Sequence, residues 1–445
     1  MKSDDPLLAA WGKILARKDD APAIFNTRGE VLRTFRQIEE DARAIESKMR
    51  PAKPGNIHAI QIGNHEDWPA IFLACLRKER VVVPLDRSMR PAERDKAVAM
   101  CNASALRDWQ ATPPTLLKLT SGTTAAPRAI RFRSAQLLAD CENICDTMGI
   151  TDVDLNFGVI PISHSYGFSN LLTPLLVRGV PMVMSQDQTP RAVLHDLAQT
   201  QATVFPGTPI FYQTFCEMEK VPALPKLRLC ISAGAPLTST VARGFVEKFK
   251  QPIHSFYGSS ECGGICYDRD GKDFEDGFVG APLQHVDLEI VDLTAPSSQI
   301  QVRSAAVGDG YFPEPEEEKL SSGVFVPDDL LMRHGSGFKI VGRISDVINV
   351  AGKKVNPAEV ESTLLCFEGV RAAVVFGRGS TLRNEEVVAC VVANVDLAEN
   401  KLLEFCRERL SAWQAPKRIF FVDRIPANER GKISRRELAK HFAAR

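Results

Sequence analysis

The sequence predicts an α/β fold, with a large N-terminal α/β domain of mostly parallel sheets and a small C-terminal α+β domain. Three observations predict it. From about residue 55, apolar runs of strand length alternate with stretches whose apolar residues recur at helical spacing, the rhythm of a parallel sheet with helical crossovers. After about residue 346 the rhythm shortens to strand, helix, strand pair, helix and strand over roughly 100 residues, enough for one small domain. A length of 445 residues is also too great for a single core.

In chain order, HAIQIG (58–63) reads as a short strand. Asn64 reads as the cap of a helix whose apolar face is Trp68, Ile71, Phe72, Cys75 and Leu76. VVVPLD (81–86), LLKLT (116–120), GVPMVMS (179–185), TVFPG (203–207) and LRLCISAG (227–234) read as strands separated by helical segments. The polar, glycine-led GRISD (342–346) is the candidate linker, giving domains over 1–343 and 344–445. VINVAG (347–352) is then a strand. Asn356-Pro357-Ala358-Glu359 supplies a cap, a proline at the first helical position and a glutamate able to close a capping box. RAAVVFGR and EEVVACVVAN form a strand pair, and Asp396 and Glu399 repeat the cap before a helix facing inward through Leu402, Cys406 and Leu410. RIFFVDRIP is the last strand.

Composition bounds the function. Lys plus Arg equals Asp plus Glu, for a formal net charge of zero, so nothing global argues for nucleic acid, and any anion site must be local. No apolar run approaches a membrane span. The N-terminal stretch mixes both charges through its apolar positions, unlike a signal peptide. The 11 cysteines show no disulfide rhythm, and the close pairs Cys141/Cys145 and Cys262/Cys266 lack further zinc ligands. A cytoplasmic protein is expected.

Four stretches carry chemistry. LTSGTTAAPRAIRF (119–132) packs hydroxyls, a glycine and Arg128 into a turn after a strand, a pattern able to cradle a polyphosphate but also common in plain loops. FYGSSECGG (256–264) offers a ring for stacking and the carboxylate Glu261, which suit a Mg-nucleotide, although a surface turn has the same composition. VFVPDDLL (324–331) sets two aspartates in a turn, to accept from ribose hydroxyls or merely to cap it. PANERGKISRREL (426–438) carries Gly431-Lys432, which is not a Walker loop because Pro426 and Ile433 stand where a glycine and a Ser or Thr are needed.

Taken together, these stretches resemble the acyl-adenylate-forming superfamily of acyl-CoA and aryl-CoA synthetases, nonribosomal peptide adenylation domains and firefly luciferase. The resemblance runs from about Asp20 to the C-terminus. TSGTTAAPRAI is similar to the family's TSGTTGxPKGV, and PISHSYGF (161–168) to PLFHxYGL. SAGAPL (232–237) and YGSSE (257–261) resemble the adenine-side loops, and VPDDL (326–330) resembles TGDL. GRISDVINVAGKKVNPAEVE (342–361) is similar to the hinge motif, and PANERGKISRREL to PKTxxGKxxRRxL. Seven such motifs in the family's order make a specific signal.

The resemblance implies roles for matching residues. Thr120, Ser121, Gly122, Thr123, Thr124 and Arg128 would hold the β- and γ-phosphates of ATP. Glu261 would hold Mg²⁺, with Thr123 or Thr124 in the second sphere or bound directly. Tyr257 would stack on adenine beside Gly258 and Ser260, with Ala233, Gly234 and Ala235 along its edge, and Asp329 and Arg343 would bind the ribose. His164 would gate or border the acid pocket, a core histidine being the plainer reading. Gly263 and Gly264 would leave room near that pocket. Lys432 would bridge the substrate carboxylate and the α-phosphate, carried by a mobile C-terminal domain with the active site at the interface. Gly352, Lys353 and Lys354 would line the thiol tunnel.

The resemblance therefore implies an AMP-forming ligase that activates an aryl or short-to-medium acyl acid with MgATP, releases pyrophosphate and transfers the acyl group to coenzyme A. A stand-alone adenylation protein loading the phosphopantetheine of an acyl carrier protein, and a degenerate nucleotide binder, are the alternatives. The segment PISHSYGFSN holds no acidic residue to pair with an α-amine, which favours an acid without one. Ala125 and Ala129 stand where glycines are usual and would stiffen the phosphate loop or forbid a positive φ. Arg128 replaces a lysine, and Ser345 occupies the usual charged hinge position.

Overall fold

Strands form where the apolar runs were read, and they gather into sheets whose centres are parallel. The computed structural model describes residues 5–105, 112–120, 128–295, 297–321, 323–380, 384–394, 397–426 and 435–442. It divides into one unit comprising Met1–Ile290, Gln301–Pro327 and Arg333–Lys339, and a second comprising Val291–Ile300, Asp328–Met332 and Ile340–Arg445.

The larger sheet of the first unit runs, in parallel, through Ile253–Ser259, Leu229–Ser232, Val204–Gly207, Asn156–Gly158, Met182–Met184 and Pro22–Phe25. Antiparallel strands flank it, Val31–Thr34 on one side and Gly263–Tyr267 followed by Phe278–Pro282 on the other. A second sheet sets Ile57–Ile60, Val81–Pro84 and Leu116–Thr120 in parallel, followed by antiparallel Arg128–Phe132 and Gly310–Phe312. The parallel strands Val81–Pro84, Val204–Gly207 and Leu229–Ser232 are buried on both faces, as sheets covered by helices on both sides require. Val81, Val82 and Val83 are fully buried, as are Phe157 and Phe205. Among the described residues no helix is long and apolar enough to cross a membrane.

Two local expectations change. Asn64 does not cap a helix: the helix Trp68–Arg77 begins after Asp67, which makes no side-chain cap bond, while Asn64 is buried elsewhere. Ala129 does not sit in a loop. It lies in the strand Arg128–Phe132, paired with Leu119 and Phe312, and its methyl is buried among Val81, Val83 and Leu117. A strand has negative φ, so alanine is unstrained there and the missing glycine carries no conformational penalty. Ala125 lies outside the described residues. Ala129→Gly is accordingly expected to destabilise the protein by about 1–2 kcal/mol, from the lost buried methyl and the added chain entropy. Urea unfolding checks this, and a stabilised variant would show that alanine is strained.

The second unit alternates cleanly. In the antiparallel pair Val370–Ser380 and Asn384–Ala393, Val375, Val387, Ala389 and Val391 face one core with Val360, Leu364, Leu402 and Cys406 from the helices Pro357–Leu365 and Glu399–Arg409. Val374, Phe376, Val388 and Cys390 face the other, under Leu438 and Phe442. That is the period of two expected of a sheet covered on both sides. Asn356 caps its helix through Ala358 N–H as anticipated. Glu359 closes no capping box and instead accepts from Gln414. Asp396 lies outside the described residues, and the second helix starts after Ala398.

Candidate active site

The segments singled out in the first unit leave the carboxyl ends of parallel strands, where ligands of open α/β sheets gather. PISHSYGF follows Asn156–Gly158, Ala233 and Gly234 follow Leu229–Ser232, and Ser260 and Glu261 follow Ile253–Ser259.

Asn64 hangs the first of these loops. Its Nδ2 donates to the carbonyls of Gly158 (3.0 Å), Ile160 (3.2 Å) and Ser185 (3.3 Å), and its Oδ1 accepts from Ile162 N–H at 2.9 Å. One buried amide thus satisfies backbone groups that the strand ends leave open, which is costly to undo. Beyond it, a Cβ on Gly167 would lie 2.2 Å from the Pro161 carbonyl oxygen, so only glycine lets the loop fold back. Tyr166 Oη reaches the carbonyls of Gly207 (3.2 Å) and Ile231 (3.3 Å), tying the loop to two more strand ends. The chain then passes through a π-helical turn, Phe168–Leu172, a form enriched at functional sites.

His164 is not a core histidine, since 43% of its side chain is exposed. Its Nε2 lies 3.0 Å from Asp86 Oδ2, and Asp86 Oδ1 accepts from both Ser88 N–H (2.8 Å) and Ser88 Oγ (2.5 Å). The hydrogen bonds from His164 and Ser88 hold the Asp86 carboxyl well below the usual carboxylate range, so His164 faces an ionised acid. Asp86 follows the strand Val81–Pro84 and did not stand out in the sequence. Its signal was its place just past the carboxyl end of an apolar strand.

Ser165 Oγ donates to Ser260 Oγ at 3.0 Å, which joins the His164 loop to the YGSSE loop. Tyr257 and Gly258 flank a bulge in that strand, and a Cβ on Gly258 would come within 2.6 Å of Gly263 O. Tyr257 is buried at 8% exposure, whereas Gly234 and Ala235 are exposed. Gly234 has φ +85°, the left-handed region that glycine tolerates. Gly263 and Gly264 do not leave free room. Their missing Cβ positions are filled by the Asp140 carboxylate and by Leu283 and Phe256.

Arg128 and Glu261 converge on one ring. Tyr311 Oη donates to Glu261 Oε1 at 3.0 Å, and the Arg128 guanidinium lies 4.2 Å from the centroid of the same ring. Arg128 also donates to Glu316 Oε1 (2.8 Å) and to the Glu314 carbonyl (3.3 Å). Burial, then the Glu261 charge, pushes the Tyr311 phenol upward, so it remains a donor. Tyr311 lies opposite Ile130 across the sheet. Its only sequence signal was a lone Gly-Tyr pair. Thr120 Oγ1 points at Arg128 O at 3.4 Å. Ser121, Gly122, Thr123, Thr124 and Lys432 lie outside the described residues.

In the second unit Arg343 Nε donates to Asp329 Oδ1 at 2.6 Å, so the two residues read as ribose ligands are one ion pair. Asn356 Nδ2 donates to Val341 O at 2.8 Å, fixing the strand that delivers Arg343. Residues Ile344–Asp346 form a single 3₁₀ turn. Gly352, at φ +85°, donates its N–H to Asn349 Oδ1. Lys353 lies over Trp413, 3.8 Å from the ring centroid, and Lys354 is exposed.

Two family models match the chain: AMP-binding enzyme over residues 107–312 and AMP-binding enzyme C-terminal domain over residues 359–432. Feruloyl-CoA synthase of Amycolatopsis sp is 26% identical, over 98% of this chain and 99% of its own length. Probable CoA ligase CCL9 of Humulus lupulus is 28% identical over 73% of this chain, which spans 65% of that protein. Among solved structures, ATP-bound MatB from Rhodopseudomonas palustris shares the fold with a TM-score of 0.84, at 23% identity and over 98% of this chain and 99% of that one. With the two models together spanning well over half of its length, the chain belongs to the AMP-binding enzyme family of acyl-adenylate-forming proteins, as an AMP-forming acid–thiol ligase.

Proposed function

We propose that this enzyme converts an aryl or short-to-medium acyl carboxylate and ATP to the acyl-adenylate, releases pyrophosphate, and passes the acyl group to the thiol of coenzyme A. The observation that carries the reading is the convergence of Arg128 and Glu261 on Tyr311, which brings a guanidinium and a carboxylate to one ring. In the first step a carboxylate oxygen forms a bond to the α-phosphorus while the bond to pyrophosphate breaks. Arg128, with Thr120 to Thr124, steadies the departing phosphates; its planar fork suits phosphate oxygens. Lys432 offsets the repulsion between carboxylate and phosphate where they meet. Tyr257 and the Ala233–Ala235 backbone hold adenine, Asp329 and Arg343 hold the ribose, and His164 borders the acid. Lys353 and Lys354 meet the phosphates of coenzyme A. The domain boundary is proposed at residues 343/344.

Mg²⁺ is the metal this reading implies. A single carboxylate with one oxygen already accepting from Tyr311 fits an ion that binds through one or two carboxylates plus nucleotide phosphates, and the ion would neutralise phosphate charge. Glu261→Gln is expected to raise the Mg²⁺ concentration for half-maximal adenylation several-fold, since an amide is the poorer ligand for a hard cation. A magnesium titration like that of wild type would remove Glu261 from this role. A cytoplasmic setting is supported by 11 free cysteines, several of them deeply buried thiols, such as Cys75, Cys101 and Cys230, that burial pushes up to about 12.

The testing experiment is pyrophosphate release across a panel of carboxylic acids, each with coenzyme A, with a phosphopantetheinylated carrier protein, or with neither. The reading expects release with at least one aryl or short-to-medium acid and thioester with coenzyme A. Thioester only on the carrier protein would change the acceptor. No release with any acid would make the chain a nucleotide binder.

A further inference from the structure

Lys118, two residues before Thr120 on the strand Leu116–Thr120, is buried at 5% exposure. Its ammonium has no hydrogen-bond partner among the described residues. It lies 4.5 Å from the Phe132 ring centroid and 5.7 Å from that of Phe168. Cation–π attraction offsets only part of the cost of burying an ammonium. An ammonium held there needs negative charge nearby. Burial pushes the Lys118 amine downward, and the charges that oppose it and favour the ammonium are those of Asp140, Cys262 and Glu261, in that order. Burial raises the Cys262 thiol and keeps it neutral, which leaves the two carboxylates.

Asp140 lies on the helix Ser134–Met148 and is 4% exposed. Its Oδ2 accepts from Ser169 Oγ at 2.6 Å, and its Oδ1 accepts from Gly264 N–H at 3.0 Å. A Cβ on Gly263, which has φ +70°, would fall 1.9 Å from Asp140 Oδ1. The turn after Glu261 therefore carries Gly263 because a carboxylate from another element occupies the space beside it, while Leu283 and Phe256 fill the space beside Gly264. We propose that Asp140 is a positioning residue for Glu261, clamping the turn that follows it, with the Lys118 ammonium as the clamp's counter-charge. The proposal rests on the reading of Glu261 as the nucleotide-metal carboxylate. Removing either charge alone leaves the other buried and uncompensated, whereas removing both leaves a neutral turn with its hydrogen bonds available.

The test is a double-mutant cycle in the full chain with Asp140→Asn, Lys118→Met and the double variant. Two quantities are read: the MgATP concentration dependence of pyrophosphate release, and the thermal midpoint. Each single variant is expected to raise KM for MgATP about tenfold, and the double to return within about threefold of wild type. Thioester formation from supplied acyl-adenylate stays unchanged throughout, which a general loss of structure would not allow. Additive losses in the double overturn the proposal, as do singles that shift the midpoint but leave KM unchanged. If a single variant fails to fold, the double decides: folded with near-native KM it supports the clamp, and unfolded or with raised KM it overturns it. Glu261→Gln run alongside separates the two claims. If it is silent while the cycle is coupled, the metal reading fails and the clamp positions the turn rather than Glu261; if it is sensitive while the cycle is additive, the clamp alone fails.

Discussion

Lys432→Ala is expected to lower the rate of acyl-adenylate formation about 10²–10³-fold while leaving thioester formation from supplied acyl-adenylate within about twofold. A carboxylate approaching a polyphosphate meets like charge, and a cation at the reacting oxygens helps most in the transition state, where the new bond shares that charge. Thioester formation breaks a different bond, with the carboxylate already consumed, so the same lysine has no comparable charge to offset. Single-turnover measurements of the two half-reactions separate these cases. Equal falls in both would assign Lys432 to folding or to general anion attraction instead.

The second large effect concerns Asn64, far from Lys432 in sequence. Asn64→Ala removes the donor shared by the Gly158, Ile160 and Ser185 carbonyls, of which Gly158 O keeps Ser185 N–H, and the acceptor of Ile162 N–H. Each buried group left without a partner costs about 1–3 kcal/mol. A total loss of about 3–5 kcal/mol is expected once partial relaxation is allowed, placing the variant among the most damaging single changes. Because the released backbone leads directly into His164, adenylation with the preferred acid should fall further than the fraction unfolded explains. Thermal unfolding and the KM for the acid, measured below the midpoint, check both parts. A normal midpoint would mean that water replaces the amide. The Asp86–His164 pair adds a pH signature of known sign. The folded-state pKa of Asp86 is depressed, so its contribution to stability is present above the ordinary carboxylate range and is lost as pH falls below it.

The alternation of strands and helices was legible because buried parallel strands demand apolar runs of strand length, and those runs survive reading one residue at a time. Ala129 and Asn64 show where such reading stops. Alanine at a motif's glycine position reads as part of the phosphate loop, but the residue is a strand residue whose conformation is set by its neighbours Leu119 and Phe312. Asparagine before an amphipathic stretch looks like a cap because capping and carbonyl binding use the same short amide. Only the arrival of a chain segment about 100 residues later decides between them. Asp86 and Tyr311 were missed for the same reason. Their partners, His164 and Glu261, lie 78 and 50 residues away in sequence, and no local pattern records such meetings. The family motifs marked loop residues that a nucleotide would touch, not the side chains that hold those loops in place.

The second unit is threaded from three stretches of chain, which limits how this protein can be recombined with its relatives. Asp328–Met332 belongs with Ile340–Arg445 although Arg333–Lys339 lies between them. Asp328 O accepts from Ile344 N–H, and Asp329 pairs with Arg343. A chimera spliced at 339/340 would draw Arg343 from one parent and Asp329 from the other, so their fit would depend on two lineages matching by chance. Splicing after Arg343 transmits the pair as a single heritable block, and a library of exchanged C-terminal segments built on that junction keeps the coupling in every member.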